Sequence, residues 1–403
     1  MNRRLFLQTG ALIAAGSFLP RWARRALADE PQGGKTLVFL FLRGALDGLH
    51  AVAPVGEARY FDLRPQLAPS EQDLLPLEPG FALHPSLEAL LPFWRDRSLA
   101  LVHAVGSPDP TRSHFDAQDF LEMGTPGVKG TPDGWLARLL RDAPVAAPSP
   151  LAAVAVSQRL PRALQGAPDA LAFASLDQLR LRPLAGGKGP RAREQAQAAF
   201  EAMYAAQPDG KPVATSGKEA FAVLQLLQRK LPAPGAEYPN GPVAGALRQL
   251  AQLIKADVGL RVGCADAGGW DTHTAQAGQL ANNLRRLGEA LAAFVRDLGP
   301  RAADVVLVAA TEFGRTVRQN GTNGTDHGHA SVAFLLGGGV RGGRVHGRWP
   351  GLREDELCEG RDLAVTTDLR CVLAAAAAAQ LGARDVGKLF PGFSGQPLAG
   401  LFA

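Results

Sequence analysis

The sequence predicts an α/β fold, with a mostly parallel β-sheet sandwiched between helices. Three observations carry that expectation. Six short runs are apolar without alternation, as strands buried on both faces are. Stretches with apolar residues at three- and four-residue spacing lie between them. Hydrophobic residues make up 46% of the 403, enough for one large core, and the charged fraction of 20% is that of a folded chain.

Taken in order, "TLVFLFL" (36–42) is the first strand and "HPSLEALLPFW" a helix with Pro85 in its first turn. "SLALVHAVG" (98–106) and "LAAVAVS" (151–157) read as the next two strands. "AREQAQAAFEAMYAAQ" and "KEAFAVLQLLQRKL" are strongly helical, and a mostly helical insertion is expected over about 190–255. "LAGGKGPRAR" (184–193) reads as a linker and "APGAEYPNGP" (233–242) as a punctuated turn. Helices at "VAGALRQLAQLIKAD" and "TAQAGQLANNLRRLGEALAAFVRDLG" flank a strand at "VGLRVGC" (258–264). "DVVLVAA" (304–310) and "SVAFLLGGG" (331–339) are the last strands. "TTDLRCVLAAAAAAQLG" is a helix opened by a Thr/Asp group and stopped at Gly382.

The N-terminus reads differently. "NRRLFLQTGALIAAGSFLP" joins paired arginines to a short apolar stretch, and "ARRALADE" offers Ala26-Leu27-Ala28 as a cleavage site. Residues 1–28 thus resemble a twin-arginine signal peptide, although Asn2 stands where that motif has Ser or Thr. The reading implies the twin-arginine translocation machinery as a partner and a periplasmic or secreted protein, with 29–403 as a single domain. The formal charge is +5, yet Arg3, Arg4, Arg21, Arg24 and Arg25 all lie in this leader. Taking those five from the 43 basic residues leaves 38 against 38 acidic ones, so the charge gives no argument for nucleic acid. Cys264, Cys358 and Cys371 are too few and too widely spaced for a disulfide framework or a zinc ribbon. No later segment is apolar and long enough to span a membrane.

Ligands of open parallel sheets gather beyond the carboxyl ends of the strands. The segments found there are rich in chemistry. Arg43 and Asp47 follow the first run, and Arg112, Ser113 and His114 follow the second. Asp271 and His273 follow "VGLRVGC"; Glu312 and Arg315 follow "DVVLVAA"; Asp326, His327 and His329 precede "SVAFLLGGG". In an extended backbone, residues two apart share a face, so Asp271 with His273 and His327 with His329 can each share an ion. Mixed carboxylate and imidazole ligands suit zinc, manganese or iron. Ser113 opens a helix, where it is either an N-cap or a nucleophile beside a positive dipole end. The three arginines hint at an acidic ligand, because a guanidinium binds oxyanions bidentately.

"FLRGALDGLHAV", "RSHFDAQDFLEMG", "GGWDTHTAQ", "TEFGRT" and "DHGHASVAFLLGGGV" together resemble the domain-of-unknown-function 1501 family of exported bacterial proteins, over nearly the whole mature chain. That family is regarded as a distant relative of the alkaline phosphatase and sulfatase superfamily. The resemblance implies an alkaline phosphatase-like fold, a bimetal site and attack on a phosphate or sulfate. It makes Ser113 the nucleophile. Asp47, Asp271, His273, Glu312, Asp326, His327 and His329 become candidate ligands of one or two divalent ions, and Arg43, Arg112 and Arg315 candidate stabilisers of transition-state charge. "TEFGRT" departs from the pattern, since Phe313 stands where a ligand is expected. The function expected is metal-dependent hydrolysis of phosphate or sulfate esters. The alternative is a non-catalytic exported protein that binds an anionic small molecule, glycan or protein partner.

Overall fold

A computed structural model describes residues 34–143, 149–176 and 231–403, with Val223 and Leu227. The leader at 1–28, the linker at 184–193 and most of the insertion expected over 190–255 lie outside the described residues. The strands are β1 (Thr36–Leu42), β2 (Val52–Ala53), β3 (Leu75–Glu78), β4 (Phe81–Leu83), β5 (Leu99–Gly106), β6 (Ala153–Val156), β7 (Leu171–Phe173), β8 (Val262–Ala267), β9 (Val305–Ala310), β10 (Ser331–Gly337), β11 (Val345–His346) and β12 (Thr367–Asp368). The helices are α1 (Gly48–Ala51), α2 (Ala58–Leu63), α3 (Leu91–Arg95), α4 (His114–Met123), α5 (Trp135–Asp142), α6 (Pro242–Lys255), α7 (Gln276–Leu298), α8 (Leu369–Leu381) and α9 (Val386–Leu389).

The main sheet runs β11-β5-β10-β9-β1-β8-β6-β7, with β12 also on β5. β1 is parallel to both its neighbours, Leu37 lying opposite Val262 of β8 and Val306 of β9. β10 alone runs against its neighbours, with Ser331 opposite Val105 of β5 and Phe334 opposite Ala309 of β9. Its first residue therefore lies at the edge where β1, β5, β8 and β9 end. A small second sheet, β2-β4-β3, packs beside the main one.

Alternation along β1 explains its unbroken apolar run. Val38, Leu40 and Leu42 face a core shared with Leu247 and Leu250 of α6 and Leu284 and Leu287 of α7. Leu37, Phe39 and Phe41 face the opposite core, with Trp135 of α5 and Val372 and Leu373 of α8. Both faces are covered, and the one polar side chain of the strand, Thr36, is buried with its hydroxyl donating to the Leu260 carbonyl at 2.8 Å. Each such side chain contributes about 1.5–3 kcal/mol by leaving water.

The helices stop where their sequences provide for it. Asp368 caps α8 by accepting from the Arg370 backbone N–H, and Gly382 closes it in the left-handed conformation. α6 has Pro242 in its first turn and packs on the sheet as a core helix. The turn at 233–242 is pinned by Tyr238 Oη, which donates to Asp297 Oδ2 of α7 at 2.9 Å. Two differences from the sequence reading matter. β8 begins at Val262 rather than at 258, because Asp257 and Gly259 take left-handed backbone angles that turn the chain first. The stretch expected as one helix from Pro85 is a 3-10 turn, Pro85–Leu90, followed by α3.

Candidate metal centre

The ends of β5 and β8 and the start of β10 bring three imidazoles and a carboxylate together. His114 is the first residue of α4, beyond β5. Asp271 and His273 follow β8, where the Thr272 N–H donates to the Trp270 carbonyl at 2.9 Å, and His327 precedes β10. His327 Nε2 lies 3.1 Å from His114 Nε2, 3.0 Å from His273 Nε2 and 3.1 Å from Asp271 Oδ1. His273 Nε2 lies 2.9 Å from the same carboxylate oxygen, and His114 Nε2 is 3.5 Å from Asp271 Oδ2. Donor atoms of His114, Asp271 and His327 all lie within 4.8 Å of one another.

The outer nitrogens fix what the inner ones carry. His114 Nδ1 is 2.8 Å from Glu312 Oε1, His327 Nδ1 is 2.8 Å from the Arg112 carbonyl, and His273 Nδ1 is 3.2 Å from Asp326 Oδ1. Each partner is an acceptor, so each Nδ1 holds a hydrogen and donates it. In the neutral rings all three Nε2 atoms then carry lone pairs, aimed at one another and at an anionic oxygen. Such an array is repulsive unless a proton or a cation stands among them. An ion about 2.0–2.2 Å from each tetrahedral donor spaces the donors about 3.4 Å apart, close to the separations here. An imidazole whose far N–H is held by a carboxylate or carbonyl is also the usual arrangement of a metal ligand.

The surroundings tune the charges. Burial works against the Asp271 carboxylate, but the hydrogen bond and charge of Arg315 hold its pKa down at about 2. Arg315 Nη1, fully buried, donates to Asp271 Oδ1 at 2.7 Å. The hydrogen bond to Glu312 raises the His114 pKa, whereas burial lowers that of His327. Burial also opposes ionisation of Glu312, yet donors including His114 and Gln118 keep its pKa below the ordinary value.

Residues 100–388 match the family model described as "Protein of unknown function (DUF1501)". The chain belongs to this family. Solved structures similar to the DUF1501 chain include the C-terminal periplasmic domain of EptC from Escherichia coli in complex with Zn. That pair shares 12% identity over 76% of this chain and 74% of the other, at a TM-score of 0.35. The PsFucS1 sulfatase from Pseudoalteromonas sp. shares 11% over 91% and 77%, at 0.36. An alkaline phosphatase from the Antarctic bacterium TAB5 shares 10% over 76% and 93%, at 0.31. No curated protein sequence matches.

Of the residues singled out in the DUF1501 sequence, Asp271, His273 and His327 come together. Four other candidate ligands stand elsewhere. Asp47 is buried beneath α1, where Oδ2 accepts from Arg64 Nη1 at 2.8 Å and Gln276 Nε2 at 2.5 Å, and Oδ1 from the His50 backbone N–H at 3.2 Å. Its oxygens are spent on an ion pair and a cap, not aimed at the imidazoles. Glu312 Oε1 accepts from Gly44 N, Gln118 Nε2 and His114 Nδ1 at 2.8–2.9 Å, and Oε2 from Thr311 Oγ1 at 2.8 Å. It orients the His114 ring. Asp326 likewise backs His273. The chain bends at His329, so the two-residue spacing does not put it beside His327; Asp362 and Arg112 are its charged neighbours.

The remaining candidates are placed just as firmly. The exposed Ser113 caps α4, accepting from the Asp116 N–H at a long 3.5 Å. Arg43 pairs with Glu122 and Asp266, Arg112 with Asp362 and Glu359, and Arg315 with Asp271, so none of the three is without a carboxylate. Phe313 is buried and stacks on His114, ring centroids 4.9 Å apart at 27°, with His327 at 5.1 Å. The position that departs from the family resemblance is thus a packing wall behind two imidazoles. His114 is the residue that sequence reasoning passed over as a ligand. Its signal is an imidazole directly after a helix-capping Ser at a strand end.

Proposed function

We propose that the chain is an exported, metal-dependent hydrolase of phosphate or sulfate esters, with one divalent ion held by His114, Asp271, His273 and His327. The observation that carries this reading is the convergence of three Nε2 lone pairs and a carboxylate oxygen, each ring fixed from behind by an acceptor. An ion bound there would supply Lewis acidity toward an ester oxygen. Zinc, manganese and iron all suit the donor set. One ion rather than two follows from Phe313, which offers no donor, and from Asp47 and Glu312, whose oxygens are taken.

The chain's own groups divide the remaining work. Ser113, exposed at the start of α4 and next to His114, is the attacking hydroxyl, beside backbone N–H groups that favour an anion. Arg315 holds Asp271 ionised and in place, and the Arg112 carbonyl sets the His327 tautomer. Arg43 lies farther out, on Gln118 and Glu122. The three arginines therefore act as positioning residues. Residues 1–28 supply the export signal.

One observation weakens the catalytic reading and leaves the second, a non-catalytic binding protein: every candidate arginine is already neutralised by a carboxylate, so none stands free to stabilise transition-state charge. Protein exported and folded in its native host separates the two. Near-stoichiometric zinc, manganese or iron by elemental analysis, lost in His273→Ala, with hydrolysis of aryl phosphate or sulfate esters that Ser113→Ala abolishes, supports the enzyme. No metal and no hydrolysis by the unaltered protein overturns it. Full metal without hydrolysis leaves the binding protein.

A further inference from the structure

Behind Asp271 a line of buried polar side chains runs inward to the start of α1. Arg64, Asp47, Gln276, Thr325 and Arg315 are each at most 1% exposed. Polar groups so deep are costly unless satisfied, and no buried polar side-chain atom of these five lacks a hydrogen-bond partner. The direction of each hydrogen along the line is fixed. Asp47 is ionised, since burial opposes its charge but Arg64 keeps its pKa below the ordinary value. A carboxylate only accepts, so Gln276 turns its amide N–H to it, Nε2 donating to Asp47 Oδ2 at 2.5 Å.

Gln276 Oε1 then faces two hydroxyls, Thr272 Oγ1 at 2.9 Å and Thr325 Oγ1 at 2.6 Å. The Thr325 hydroxyl spends its one hydrogen there and offers a lone pair to Arg315 Nε at 3.1 Å. The Thr325 carbonyl accepts from Arg315 Nη2. With two of its three nitrogens held by one residue, the guanidinium has a single orientation, in which Nη1 reaches Asp271 Oδ1 at 2.7 Å. The Asp271 side chain is 45% exposed, so packing alone does not choose its rotamer.

The backbone is bent to bring Gln276 into this line. It is the first residue of α7, and Ala275 before it has φ +46°, a left-handed angle unfavourable for alanine. No side chain caps the helix. Instead the Ala275 and Gln276 N–H groups donate to the Thr322 and Asn323 carbonyls at 3.0 and 2.9 Å, which clamps the helix start to the 311–330 connection. Such strain persists where the surroundings impose it, and it gathers at working sites. We infer that Gln276 is a positioning residue for the metal centre, acting through Thr325 and Arg315 to aim the Asp271 carboxylate. Asp47 and Arg64 anchor the far end of the line. The inference rests on the metal-dependent reading, in which Asp271 is a ligand.

Titration of the full chain with zinc, manganese and ferrous iron against a competing chelator tests this, with the melting temperature of the metal-free protein measured on the same samples. The variants are compared with the ion that the unaltered protein binds tightest. Thr325→Val keeps the shape of the side chain and removes the hydroxyl that joins Gln276 to Arg315. Affinity is expected to fall about tenfold or more in Thr325→Val and in Gln276→Met, the scale of a lost outer partner of a ligand, and to return in Thr325→Ser. The double variant is expected to bind no more weakly than the weaker single one, because both break one line. A merely structural role lowers the metal-free melting temperature without that pattern. If Gln276→Met does not fold, Thr325→Val and Thr325→Ser decide between themselves. Unchanged affinity in Thr325→Val, no return in Thr325→Ser, or losses that add in the double variant overturn the inference and leave the metal reading standing. An unaltered protein that takes up none of the three ions overturns the metal reading and the inference with it.

Discussion

At the scale of the residue, His114 is the proposed ligand whose removal is most telling. His114→Ala takes away one of the converging Nε2 atoms, and elemental analysis is expected to find the bound metal lost. Glu312→Gln keeps an oxygen near Nδ1 but removes the charge that makes the ring basic, so metal affinity falls by about 10–100-fold, read by titration with a competing chelator. The pH dependence follows in sign. Metal binding requires unprotonated imidazoles. Glu312 raises the His114 pKa, so protons compete from the alkaline side of the ordinary imidazole range and affinity declines as pH falls through it. In Glu312→Gln that decline moves to lower pH. An unchanged profile would show that Glu312 does not govern this ring. Asp271, His273 and His327 were legible because each stands at the end or start of an apolar run. His114 meets His327 across 213 positions of sequence, a pairing that no local spacing reveals. Asp47 looked like a ligand for the same reason that Asp271 did; only the fold shows Arg64 waiting for it.

At the scale of the element, the centre depends on how closely backbone approaches backbone between β9 and β10. A Cβ on Gly314 would lie 1.8 Å from the Ala330 carbonyl oxygen, and one on Gly328 2.3 Å from the Arg315 carbonyl carbon. Gly314→Ala is expected to cost at least the 1–3 kcal/mol, roughly, of an overpacked site and to weaken metal binding with it, measured as melting temperature and chelator competition on one sample. The cap on α4 gives a contrasting case. Ser113→Ala costs no more than about 1 kcal/mol, because the Oγ to Asp116 N–H contact is already long. Turnover abolished with the fold intact identifies the attacking hydroxyl, and turnover retained leaves only a cap. The long strands were readable because both faces are buried, which leaves few polar residues in the run, and those such as Thr36 and His103 are bonded to backbone carbonyls. β2, β3, β4, β7, β11 and β12, of two to four residues, were not. A segment that short has no period to detect, and its pairing is decided by the larger sheet.

Across the whole molecule, three histidines outside the centre make the fold sensitive to acid. Burial lowers the pKa of His50 to about 3 and of His84 and His103 to about 4. Their unfolded-state values lie near the ordinary 6.5, so between about 6.5 and about 4 the unfolded chain binds more protons than the folded one. Stability is therefore lost as pH falls through that window, each ring contributing at most about 1.4 kcal/mol per pH unit. Denaturant titrations at several pH values are expected to show the loss, and His103→Gln to flatten it; an unchanged slope would mean that His103 titrates alike in both states. The α/β class was legible from the succession of elements, and the main sheet draws its described strands from between Thr36 and Asp368. What the sequence could not convey was direction. Nothing in "SVAFLLGGG" distinguishes an antiparallel strand from the parallel ones around it.

That reversed strand has a further consequence. Because β10 starts at the edge where β9 finishes, the connection 311–330 leaves and re-enters the sheet at one place and never has to cross the molecule. It behaves as a cassette clipped in at both ends. Of the clustered side chains it carries only His327, while His114, Asp271 and His273 stand on other strand ends, so a change confined to this segment can remove one donor and leave the other three in place.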